Sequence, residues 1–76
     1  MTPKEKAQEL FDKYFDQMLS FGFHLSNRQI SKIALIAVDE ILSELAYTQN
    51  YVEDAMNKIQ VYISYWQEVK KEIENL

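Results

Sequence analysis

The stretch Ile30 to Leu42, ISKIALIAVDEIL, limits the fold more than any other part of the chain. Its apolar residues recur at helical spacing, yet its middle, IALIAV, is apolar on nearly every side. At 100° per residue the main stripe runs through Ile30, Ile33, Ala34, Ala37, Val38, Ile41 and Leu45. Leu35 lies about 120° to one side of it and Ile36 about 140° to the other. A surface helix needs one apolar stripe, whereas this one asks for cover from several directions. In a lone three-helix bundle a wide stripe is expected, and one neighbour then covers Leu35. Ile36 on the far flank is harder to shelter within one subunit. A second chain packing on the helix answers that need, with a homodimer as the simplest closed assembly.

The flanking sequence adds two more helices. Thr2-Pro3-Lys4-Glu5 spells a capping box with Pro at the first helical position. Ala7, Leu10, Phe11, Tyr14, Phe15, Met18 and Phe21 come next at steps of three and four, and Gly22, the one glycine, suits a left-handed stop. This predicts a first helix over 3–21. Ser26-Asn27-Arg28-Gln29 repeats the cap and opens a second helix over 27–47, while Thr48-Gln49-Asn50 reads as a turn, with Thr48 or Asn50 capping the next helix. The third helix is expected over 51–74, as the longest, projecting at one end past the others. It keeps a seven-residue repeat: Val52, Ile59, Trp66 and Ile73 at one position, Ala55, Tyr62, Val69 and Leu76 at the other, with Met56 and Ile63 widening the seam. Connections of three to five residues force antiparallel neighbours. The expected fold is all-α, a single domain over 1–76: a three-helix antiparallel up-down-up bundle with a long C-terminal helix, oligomeric, or a helical hairpin whose third helix docks on another chain.

Composition narrows the function. A chain of 76 residues without Cys has neither disulfides nor Cys-based metal sites to stabilise it, leaving long helices or association. Net charge is −4 with no basic run, which argues against duplex nucleic acid as a partner. The longest apolar run is too short for a membrane span, and MTPKEKAQEL is not a signal peptide, so a cytoplasmic protein is expected. Enzyme chemistry is not expected, and neither catalytic residues, metal ligands nor cofactors are assigned. The single His24 sits in a link, no thiol nucleophile exists, and Asp39-Glu40 reads as a solvated face.

Binding fits better. Five Tyr, four Phe and one Trp suit surfaces covered on association. Tyr62 and Trp66 fall on the seam and read as core or subunit interface with Leu35 and Ile36; Tyr65 lies off the seam as a contact residue. Arg28 and Lys32, one turn apart at the start of the second helix, make a rudimentary anion site, with Phe23 or His24 beside it to stack a base. Ordinary capping and solubilising charge explain the same residues.

Three blocks, MTPKEKAQELFDKY, ALIAVDEIL and YWQEVKKEIENL, together resemble a family of short accessory proteins of tailed bacteriophages and prophages. The likeness covers about half the chain; many members carry Cys where this chain has Ile33. It implies a phage accessory protein in the host bacterial cytoplasm. Such proteins often inhibit host machinery or antiviral defence, some as oligomeric sponges holding a nucleotide immune signal. The two expectations are an oligomeric module that sequesters a nucleotide-like small molecule and, alternatively, one that binds and inhibits a host protein.

Overall fold

The computed structural model describes residues 1–51 and 58–76. Three helices, α1 (Pro3–Ser20), α2 (Asn27–Tyr51) and α3 (Lys58–Glu74), pack against one another, and no strand occurs among the described residues. No described helix is long and apolar enough to cross a membrane.

Both predicted N-terminal caps form. The Thr2 amide donates to Glu5 Oε1 and the Glu5 amide to Thr2 Oγ1, each at 3.1 Å. The Ser26 amide donates to Gln29 Oε1 at 2.9 Å and the Gln29 amide to Ser26 Oγ at 3.2 Å. These reciprocal bonds occupy amides that have no partner inside the helix, so each helix starts where its cap is spelled. The bonds to Thr2, the backbone amide first, hold the Glu5 carboxyl below its ordinary value of 4.5. A depressed carboxyl stabilises the fold above its unfolded pKa, and that contribution is lost as pH falls through the folded value. Helicity followed by circular dichroism should therefore decline as the solution is acidified through the folded value, and Glu5→Gln should remove that part of the decline.

At the other end of α1, Gly22 takes φ +84°. Its amide donates to the Leu19 carbonyl and the Phe23 amide to the Met18 carbonyl, both at 2.9 Å. This is the paired-bond left-handed stop. A Cβ at Gly22 would meet nothing within 4 Å, so conformation alone demands glycine there. Gly22→Ala should cost about 1–2 kcal/mol, readable as a lower denaturation midpoint with an unchanged slope.

The second connection is not where the sequence suggests. α2 runs through Thr48-Gln49-Asn50 to Tyr51. Thr48 does not cap; its hydroxyl donates to the Glu44 carbonyl at 2.9 Å, a back-bond that lets threonine sit inside a helix. Tyr47 and Tyr51 stack one turn apart, with ring centroids at 4.6 Å, and Gln49 Nε2 donates to Gln60 Oε1 on α3 at 3.2 Å. A third helix starting at 51 is thus corrected, and α2, not α3, is the longest described helix. Val52, Glu53, Ala55 and Met56 lie outside the described residues.

The core is small. Ala7 of α1, Ala34 and Val38 of α2, and Val69 and Ile73 of α3 form one fully buried cluster, flanked by Leu10, Tyr14, Leu35, Leu42, Tyr65 and Trp66. Two of its five members, Ala7 and Ala34, are alanines with no exposed surface. α3 packs extensively on both other helices, and α1 and α2 touch each other least. Between α2 and α3, Lys70 Nζ reaches Asp39 Oδ1 at 3.1 Å with both side chains about half exposed. Such a pair contributes little, so Asp39→Asn should shift stability by less than about 1 kcal/mol.

Candidate functional site

Two features of the surface stand out, an open cleft and a set of uncovered apolar side chains. The cleft, of about 440 Å³, opens where the last residues of α3 meet the first turns of α2. Arg28 and Lys32 flank it from α2, Leu35 and Ile73 form its apolar floor, and Leu76 and Glu74 close it from α3. The two cations expected to form an anion site do share a cleft. Glu74 places a negative charge in the same cleft, from the α3 side, and weakens the field an anion would meet. Phe23, His24 and Tyr65 do not line it. Phe23 and His24 are exposed on the link before α2. A second cleft of similar size carries charges of both signs, Lys4 with Glu5 and Glu72.

Tyr65 belongs elsewhere. It is half-buried against the core, meets Trp66 edge-on with ring centroids at 5.6 Å, and its hydroxyl donates to the Met1 carbonyl at 3.2 Å. Lys6 of α1 lies over the Trp66 ring at 6.0 Å. Tyr65, off the heptad seam, therefore helps dock α1 onto α3. The reverse holds for Tyr62. The heptad puts it in line with Val69, yet it is 58% exposed. The capping box at Thr2 stops α1 beside Tyr65, so the seam runs on past the helix that covers it. Leu35 and Trp66, read as interface residues, both pack on their own core, whereas Ile36 is 64% exposed.

Periodicity does not single out the other uncovered residues. Phe21 (69% exposed) and Phe23 (58%) flank Gly22 in the α1–α2 turn, with Leu19 beside them. At the opposite end of α2, Tyr47 and Tyr51 stand exposed, as does Val61 of α3. Spacing alone counts Phe21 with the α1 stripe; the signal against that is its place directly before the terminating glycine, where the helical period ends. Reading Thr48-Gln49-Asn50 as a turn hides Tyr51.

Among the described residues no three His, Asp or Glu side chains gather closely enough to hold a metal ion, and none of the polar or charged side chains is buried. Compared with family models, with curated proteins and with solved structures, the chain matches none of them.

Proposed function

We propose that this chain is a non-enzymatic interaction module, an up-down-up antiparallel bundle that presses the aromatic turn between α1 and α2 against a protein partner. The pairings Asp39–Lys70 and Gln49–Gln60, in which α2 numbers rise as α3 numbers fall, support the antiparallel reading of those two helices. The exposed pair Phe21 and Phe23 carries the functional reading. Three backbone hydrogen bonds fix their turn, from the Phe21, Gly22 and Phe23 amides to carbonyls of the last turns of α1. Aromatics held in place before binding lose little entropy on contact and make effective anchors. The resemblance to phage accessory proteins supplies the setting, a host protein bound and inhibited in the infected bacterial cytoplasm.

The test compares the chain with its Phe21→Ser/Phe23→Ser variant, each immobilised in host lysate. A partner held by the first and lost by the second, with stability moved by no more than about 0.5 kcal/mol, is the expected result. Retention of the same partner by the double variant would refute it.

A second reading rests on Arg28 and Lys32 flanking the cleft of about 440 Å³ over an apolar floor. That arrangement suits a small nucleotide-like anion, sequestered without turnover. It predicts a melting temperature that rises with added nucleotide as RT ln(1 + [L]/Kd), and no rise in Arg28→Ala/Lys32→Ala. Glu74 on the same cleft makes this the weaker of the two.

A further inference from the structure

We infer that the outward face of α2, centred on Ile36, packs antiparallel against the same face of a second copy of this chain. This goes beyond the partner-binding reading, which uses the Phe21–Phe23 turn.

The face is set by the helix itself. Ala34 and Val38 turn α2 towards the core, and Ile36 between them points the other way and stands exposed. At 100° per residue, Lys32 and Glu40 lie about 40° to either side of Ile36, and Gln29 and Ser43 about 20°. All four are exposed, so they share one outward face of one continuous helix. An exposed isoleucine alone is ordinary surface. What distinguishes this one is the order of the charges around it.

That order selects a second copy as the occupant. α2 carries five charged residues, sorted about Ile36: Arg28 and Lys32 precede it, and Asp39, Glu40 and Glu44 follow it. The spacing is symmetric as well. Lys32 and Glu40 lie four positions to either side of Ile36, Gln29 and Ser43 seven, Arg28 and Glu44 eight. Put Ile36 on a two-fold axis perpendicular to α2. An antiparallel copy then meets Ile36 with its own Ile36, and brings its Glu40 level with Lys32 and its Glu44 level with Arg28. Asp39 is engaged by Lys70, whereas Lys32 and Glu40 are in no ion pair among the described residues. A parallel copy would set like charges level and be repelled.

The helix dipole points the same way. The first turn of α2 has no acidic residue and its last turn no basic one. Arg28 instead stands in the first turn, at the positive end of the dipole, an arrangement that works against its own helix. An antiparallel copy turns the acidic carboxyl half of its α2 towards Arg28 and Lys32, and the two dipoles run in opposition. Charges that are unfavourable within one α2 become favourable between two.

The test uses the full chain in sedimentation equilibrium at low ionic strength, from micromolar to submillimolar concentration. The weight-average mass should climb from 9.0 kDa towards twice that value. Ile36→Glu should hold it at the monomer while leaving the dilute melting temperature unchanged. Lys32→Glu alone and Glu40→Lys alone should each weaken association by about tenfold or more, because like charges then come level. The double variant Lys32→Glu/Glu40→Lys should restore it, an outcome that a fold merely damaged by either change would not give. Because the chain has no cysteine, single-cysteine variants read the register. Ile36→Cys, on the axis, should oxidise readily to a covalent dimer, and Ser43→Cys should not, since its two copies lie about 21 Å apart along the helices. A constant monomer mass would overturn the inference, as would a double variant that stays weak, or equal dimer formation by Ile36→Cys and Ser43→Cys. The Phe21→Ser/Phe23→Ser variant should still dimerise, which separates failure of this contact from failure of partner binding.

Discussion

Ile73→Ala should leave the chain largely unfolded at 25 °C or close to it. Ile73 is fully buried in the cluster that joins all three helices. Truncating a buried isoleucine to alanine costs about 2–5 kcal/mol, because the lost transfer energy is joined by a cavity the neighbours fill only in part. A chain of 76 residues has about 4–11 kcal/mol of total stability. One side chain therefore supports a large share of the fold. Chemical denaturation followed by circular dichroism measures this directly. A loss below about 1 kcal/mol would mean that the three helices do not depend on this cluster.

The opposite change at the same place should also be severe. Ala7 has no exposed surface and sits among Ala34, Val38, Val69 and Ile73. Ala7→Leu adds three carbons to a fully buried site in this cluster, and overpacking of this kind costs about 1–3 kcal/mol. Leucine has nearly the helix propensity of alanine, so the effect would report on packing and not on α1 itself. At the exposed Gln8 the same leucine should be almost neutral. Equal melting temperatures for Ala7→Leu and Gln8→Leu would show that α1 is not docked by its Ala7 face.

These two expectations rest on angular position, which the sequence encodes well. Helical spacing puts Ala34, Val38, Val69 and Ile73 inward, and they are inward. It separates Leu35, which a neighbour can reach, from Ile36, which none does; one packs on the core and the other is exposed. Helix starts are legible because Thr2 with Glu5 and Ser26 with Gln29 need only each other. What periodicity lacks is axial position. It gives the direction Tyr62 points but not that α1 stops one turn short of it. It sets Tyr65 off the seam but not beside the Met1 carbonyl. The end of α2 escapes a sequence reading for a local reason: Thr48 has two ways to satisfy its hydroxyl, as a cap or by back-bonding to Glu44, and nothing in its neighbours chooses between them.

The candidate site is legible to a lesser degree. Arg28 and Lys32 are one turn apart in any helix, so their sharing one cleft wall follows from spacing. The far side of that cleft, Ile73, Glu74 and Leu76, comes from residues more than forty positions away and depends on how α3 is set against α2. The exposed aromatics divide similarly. Phe23 is visible as a link residue, while Phe21, Tyr47 and Tyr51 become visible only when the real ends of α1 and α2 are known.

The exposed residues also bear on the expectation, read from ISKIALIAVDEIL, that one subunit does not cover all of its apolar surface and that association completes the fold. Thermal unfolding at a series of protein concentrations tests it most directly, because a partner that binds only the folded chain raises the melting temperature by mass action. The midpoint should climb steadily between micromolar and submillimolar chain, and that climb should vanish in Ile36→Glu. A midpoint independent of concentration would contradict the claim, leaving Ile36 as an ordinary surface residue of a monomer.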